Sequence, residues 1–186
     1  MFLPRFARFL LWLGGWTSVG KPPEIAKAVI IGAPHTSNWD AFWALVYKTN
    51  VGLDVKFFVK ASMFWFPLGA LLRSFGGIPL DRKNASAAVN EAIAAFDENE
   101  RFCFGLAPEG TRSKTAGWKS GFYRIAEGAG VPVVFGFFDF ERKVIGLGPT
   151  LTLSGDSDAD MQIIRSFYSS ITGRRPETTS PIVFTR

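Results

Sequence analysis

One histidine, one cysteine and three methionines in 186 residues close off whole classes of chemistry. The lone Cys103 excludes an internal disulfide and leaves the cytosol as the simplest compartment. It sits in the apolar run 101–107 (Arg-Phe-Cys-Phe-Gly-Leu-Ala), where a buried structural thiol is expected rather than a reactive one. One imidazole and one thiol, with no His-Glu-x-x-His, give no credible nitrogen/sulfur metal site. No Gly-x-Gly-x-x-Gly or Gly-x-x-x-x-Gly-Lys-Ser/Thr run occurs. Ser18 has no Gly-x-Ser-x-Gly elbow around it, so a serine nucleophile is not indicated. Long hydrophobic runs are also missing: the apolar stretch Phe6 to Trp16 carries Arg8 and is too short to span a bilayer.

Aromatics, by contrast, are abundant, with 19 Phe and 6 Trp. Such an excess needs an aromatic-rich core or an apolar surface that meets lipid or acyl chains. Apolar residues make up 47% and charged residues 20%, which fits one folded domain with a substantial core. The net charge of +5 favours anionic partners: phospholipid surfaces, nucleic acid or phosphorylated small molecules. Residues 1–20 (MFLPRFARFLLWLGGWTSVG) are expected to form an interfacial segment, aromatics among the headgroups and arginines on phosphates, ahead of a domain over 21–186. A signal peptide ending near Ser18-Val19-Gly20, or a helix packed on the domain, are the alternatives.

Short apolar runs alternate with helical patterns, which predicts an α/β domain with a central, mostly parallel sheet flanked by helices. Strands are expected at Ala28–Gly32, Val55–Val59, Gly77–Leu80, Phe102–Ala107, Val131–Phe138 and Val144–Leu147, with a further one at Leu151–Leu153. Helices are expected at Trp39–Thr49, Leu68–Ser74, Ala85–Phe96, Phe122–Gly128 and Ala159–Ile171. The polar tail from Gly173 to Ser180 reads as a surface strap. The uncharged run Ala61–Leu72 has four large apolar residues together at Met63–Phe66, and reads either as core or as an acyl-channel or bilayer contact.

His35 stands five residues before Asp40 in His-Thr-Ser-Asn-Trp-Asp. Imidazole accepts a proton well when a carboxylate holds its second nitrogen in the right tautomer. Thr36, Ser37 and Asn38 are equally good helix caps, and Asp40 suits a helix N-terminus, so the run is open to both readings. On the predicted layout His35 follows the first strand, Asp81-Arg82 follow Gly77–Leu80, and Glu109-Gly-Thr-Arg112 follow Phe102–Ala107. Charge at three strand ends favours the functional reading, because open α/β sheets carry their ligand crevices there.

Taken in order, His35-x4-Asp40, Gly77-Ile-Pro-Leu-Asp81-Arg82, Pro108-Glu-Gly-Thr-Arg112 and Val131-Pro-Val-Val134 resemble the four blocks of the glycerolipid acyltransferase family. The lysophosphatidic acid acyltransferases are among its members. Phe58-Val-Lys60, Pro67-Leu-Gly69 and Trp118-Lys119-Ser-Gly121 are similar to the intervening segments, so the resemblance spans about residues 28 to 138. It implies transfer of a fatty acyl group from acyl-CoA or acyl-carrier-protein to a hydroxyl of a lysophospholipid such as 1-acylglycerol-3-phosphate. His35 would be the general base and Asp40 its orienting partner, with no acyl-enzyme and no cofactor beyond the thioester co-substrate. Backbone N–H groups around Ser37, Asn38 and Trp39 become candidate oxyanion donors. Arg82 and Arg112 fit an acceptor phosphate, Lys60 adds a third positive charge, and Glu109, Gly110 and Thr111 belong to the acceptor-binding block, with Glu109 a possible acceptor for a glycerol hydroxyl.

The implied setting is the cytoplasmic face of a membrane, held peripherally on the phospholipid surface, with oligomeric state left open. Pro79 and Ala107 depart from residues common at those positions in the family, which leaves the acceptor's identity open. Other readings are a different lipid or polyol acceptor, a thioesterase on the same His–Asp pair, and a catalytically idle lipid-binding module. A nucleic-acid partner is not expected, because the chain has neither a recognisable module nor a Lys/Arg stripe.

Overall fold

The computed structural model describes residues 2–80 and 85–185. Seven strands form one sheet in the order β1-β7-β6-β2-β5-β3-β4. They are β1 (Thr17–Val19), β2 (Lys27–Ala33), β3 (Lys56–Lys60), β4 (Gly77–Leu80), β5 (Phe102–Leu106), β6 (Val133–Asp139) and β7 (Val144–Leu151). Every neighbouring pair is parallel except β6–β7, where the chain turns back through Phe140–Lys143. Asp139 makes that reversal by accepting the N–H groups of Glu141 and Arg142 on Oδ1, the local bonding that suits Asp to a turn. The helices are α1 (Phe2–Leu13), α2 (Asn38–Val51), α3 (Leu68–Ser74), α4 (Ala85–Glu98), α5 (Gly121–Gly128) and α6 (Ser157–Tyr168).

Strand alternation divides the core. In β2, Val29, Ile31 and Ala33 face a cluster with Val89, Ala92 and Phe96 of α4, Phe122 and Ile125 of α5, and Met161 and Ile164 of α6. Ala28 and Ile30 face the other way, onto Val46 and Tyr47 of α2 and Ala7 and Leu11 of α1. The result is a sheet covered on both faces, as a parallel sheet requires.

Several expectations are corrected. The separate strand at Leu151–Leu153 does not form; Leu151 is the last residue of β7. β1 was not anticipated, and it lies inside residues 1–20, pairing with β7 through Thr17, Ser18 and Val19, so the sheet begins before residue 21. The N-terminal residues fold as α1, which buries Ala7 and Leu11 on the domain but leaves Leu3, Phe6, Phe9, Trp12 and Leu13 exposed. The core reading of Ala61–Leu72 fails: Met63, Trp65, Phe66 and Leu71 are exposed, Phe66 at 88%. The strap over Gly173–Ser180 is not confined to the surface, since Gly173 and Ser180 are both buried.

Candidate active site

Register brings the site together. β2 and β5 are parallel neighbours with Ile31 opposite Leu106, so the loops that follow them leave the same carboxyl edge side by side. One loop carries His35, the other Glu109. Oε1 of Glu109 accepts the backbone N–H of His35 at 3.0 Å, which ties the two loops to each other.

The cap reading of residues 35–40 holds, and the His35–Asp40 contact that the base reading needs is present. Ser37 is the N-cap of α2 and Asp40 the third helical residue of a capping box. Asp40 Oδ2 accepts the N–H groups of Thr36 and Ser37, each at 2.7 Å, and Oδ1 accepts the Ser37 hydroxyl at 2.8 Å. The same Oδ2 lies 3.1 Å from Nδ1 of His35. Asp40 is fully buried, whereas the His35 side chain retains 21% exposure. A carboxylate fixed by three other hydrogen bonds has little freedom left, so it holds the imidazole by Nδ1 and leaves Nε2 for chemistry.

The capping box also narrows the oxyanion candidates. The Ser37 N–H is spent on Asp40, and the Trp39 N–H on the Ser37 hydroxyl oxygen at 3.2 Å. Of the three candidate donors, the Asn38 N–H is the one these bonds leave uncommitted. The Asn38 side-chain carbonyl is taken as well, accepting Nη1 of Arg112.

Glu109 sits under the His35 loop. It is 3% exposed and accepts the His35 N–H on one carboxylate oxygen. Burial pushes its carboxyl above the usual range, partly offset by the His35 N–H bond. Its Oε2 has no partner among the described residues, and Glu109 also lines a small cavity of about 20 Å³ beside Pro34, Tyr168 and Ser180. Tyr168 stiffens this end of the sheet by donating its hydroxyl between the carbonyls of Ile31 and Gly136, at 3.2 and 2.8 Å.

The turn after Glu109 aims Arg112. Gly110 has φ +66, which favours glycine, and a Cβ there would lie 3.0 Å from Cδ and Cε of Lys119. Thr111 Oγ1 accepts the Ser113 N–H at 3.3 Å, shaping the turn locally. Arg112 then lines a polar cleft of about 200 Å³ together with residues 36–39, Arg174 and Arg175. Lys60 is not brought into it: it ends β3, which β5 separates from β2. Asp81 and Arg82 lie outside the described residues.

Arg174 and Arg175 were missed by sequence reasoning, although Gly173-Arg-Arg-Pro176 is a basic pair between two chain-breaking residues. Among the described residues no group of three or more His, Cys, Asp and Glu is arranged to hold a metal ion.

The arrangement offers a buried carboxylate, an imidazole with one free nitrogen, a backbone donor at a helix start and a cationic cleft. Three relations to known proteins bear on it. No curated protein gives a significant match. The crystal structure of the 1-acyl-sn-glycerophosphate acyltransferase PlsC from Thermotoga maritima shares the fold, with a TM-score of 0.63 over 88% of this chain and 74% of that one at 17% identity. The acyltransferase family model covers residues 19–134, more than half of the sequence and the whole His35–Arg112 region. The chain belongs to the acyltransferase family.

Proposed function

We propose that this protein moves a fatty acyl group from a thioester, acyl-CoA or acyl-carrier-protein, to a hydroxyl of a lysophospholipid such as 1-acylglycerol-3-phosphate. The observation that carries the proposal is the 3.1 Å contact between His35 Nδ1 and the buried Asp40 Oδ2 at the carboxyl edge of the sheet. Nε2 of His35 takes the proton of the acceptor hydroxyl as its oxygen attacks the thioester carbonyl. Asp40 steadies the imidazolium that forms, and the Asn38 N–H is the candidate donor to the tetrahedral oxyanion. The carbon–sulfur bond then breaks, and the imidazolium returns its proton to the departing thiolate. A thioester is already activated, so no covalent acyl-enzyme is required.

Arg112, with Arg82, is assigned to the acceptor phosphate, since guanidinium meets phosphate oxygens in a fixed fork. Glu109 acts through the loop it holds rather than on the acceptor.

The protein is proposed to work peripherally at a membrane, on its cytoplasmic face. Among the described residues no helix is long and apolar enough to cross a bilayer. α1 supports a surface mode instead: one side is buried on α2, and Phe6, Phe9, Trp12 and Leu13 remain outward beside Arg5 and Arg8. A helix apolar on both sides suits a position between a protein core and lipid.

An acceptor panel tests the reaction. Purified protein is offered labelled acyl-CoA or acyl-carrier-protein with phosphorylated and non-phosphorylated glycerolipid acceptors, and products are read by mass spectrometry. Ester formation on the phosphorylated lysolipid is expected. Thioester loss to water alone, equal with and without acceptor, would mark a thioesterase, and no thioester loss a binding module.

A further inference from the structure

The C-terminal strap carries two arginines to the site from beyond the region matched by the acyltransferase family. It is tied to the loop that carries His35 through Thr36 and Pro34, and to the β6–β7 turn through Phe140. The Arg175 N–H donates to Thr36 Oγ1 at 3.2 Å, and the Phe140 N–H donates to the Thr172 carbonyl at 2.8 Å. Gly173 packs so closely that a Cβ would lie 2.9 Å from Thr36 Oγ1 and 3.1 Å from the Pro34 ring. The Arg174 guanidinium lies over the rings of Trp39 and Phe140, at 5.3 and 6.0 Å, which limits its motion and leaves its N–H edge for a ligand.

Three guanidinium groups thus border one cleft of about 200 Å³. No carboxylate lines that cleft, and among the described residues none pairs with Arg112, Arg174 or Arg175. Like charges so gathered repel unless an anion joins them. The cleft far exceeds the volume of one water, ~30 Å³ in the liquid. Its lining begins at Thr36, the residue after His35, which places the cleft next to the His35–Asp40 pair in the chain.

We propose that Arg174 and Arg175, with Arg112, form a cradle for the phosphate of a phosphorylated substrate, making the C-terminal strap part of substrate recognition. The inference rests on the acyl-transfer reading for what the substrate is, and on the cleft alone for the phosphate. Two phosphate sources share this chemistry: the phosphomonoester of the acceptor and the phosphates of a CoA donor.

The test compares the full-length protein with R174Q/R175Q and R174K/R175K. Inorganic phosphate is titrated in a thermal melt against chloride at matched ionic strength. Phosphate should raise the Tm of the wild type beyond the chloride control, R174Q/R175Q should lose that excess, and R174K/R175K should keep part of it. Kinetics then identify the source. If the acceptor supplies the phosphate, kcat/KM in R174Q/R175Q falls about tenfold or more, through KM, for the phosphorylated acceptor only, the equivalent of losing a charged hydrogen bond. If CoA supplies it, the fall appears with acyl-CoA but not with an acyl-pantetheine thioester. Either pattern supports the cradle. Equal phosphate shifts in wild type and R174Q/R175Q, or an equal loss with every donor and acceptor, would overturn it. If no thioester is transferred to any acceptor while the arginine-dependent phosphate shift persists, the cradle stands and the acyl-transfer reading falls.

Discussion

The carboxylate of Glu109 accepts the backbone N–H of His35 from a loop 74 residues away, at 3.0 Å. A side chain from the end of β5 thereby fixes the main chain that carries His35 at the end of β2. Glu109→Ala leaves that N–H without its partner, and a loss of about 1–3 kcal/mol in stability is expected, read by chemical or thermal unfolding. An unchanged melt would show that the clamp is dispensable.

The same carboxyl has a pH signature. Its pKa is raised in the fold by burial, so above its unfolded value, near 4.5, the native state keeps a proton that the unfolded chain has lost. The native state binds more protons in that window, so this group's contribution to stability falls as pH rises from 4.5 through its folded pKa. Glu109→Gln cannot titrate. The stability of E109Q relative to wild type should therefore climb with pH above 4.5 and then level off, as measured by urea unfolding across a pH series. A difference that is flat with pH, or declines, contradicts the assignment.

Asp40 serves the helix cap and the histidine with one carboxylate, and Asp40→Asn separates its charge from its shape. An amide cannot accept from Thr36, Ser37 and His35 as the carboxylate does, and it no longer stabilises an imidazolium. Activity is expected to drop by about 10²–10⁴-fold, in kcat rather than KM. Steady-state kinetics with circular dichroism as a folding control would check it, and a pure KM effect would argue against the pairing.

The strap's close approach gives a remote lever on the site. Gly173→Ala places a methyl group against Thr36 and Pro34, so the strap must lift or the loop must shift. A stability loss of about 1–3 kcal/mol is expected, together with lower acyl transfer. Melting and activity measured on the same preparation should fall together.

For membrane attachment the outward side of α1 is decisive. Replacing Phe9 and Trp12, which pack against each other at 5.9 Å between centroids, by serine removes apolar area without touching the buried Ala7 and Leu11. Sedimentation with anionic phospholipid vesicles should show binding weakened by at least tenfold, from about 1.5–3 kcal/mol per large apolar side chain. Undiminished binding would move the lipid contact to another surface, such as Trp65 and Phe66.

Much of the fold is legible in the chain because its strands are short apolar runs at the sheet centre. β2 and β6 are buried on both faces and declare themselves by composition alone. β1 does not, since Thr17-Ser18-Val19 is too short for a period and gains its partner only from β7, far along the sequence. The spacing of His35 and Asp40 permits their contact because one loop and one helical turn bring them together, but the charged residues at other strand ends are needed to favour it over a plain cap. Arg174 and Arg175 were not readable for the opposite reason: the bond from Arg175 to Thr36 spans 139 residues, and nothing local to the strap indicates what it lies on. The exposure of Met63 and Phe66 was likewise undecided, since the same apolar run serves a core or a lipid-facing surface.

The most direct measurement is the rate of acyl transfer from a thioester to the lysolipid acceptor by wild type and by His35→Ala, with intact-protein mass recorded during turnover. The account predicts a loss of at least about 10²-fold in His35→Ala, typical of removing a general base, and no acyl adduct on either protein. Equal rates in the two proteins, or an acylated form of the enzyme building up during turnover, would contradict it.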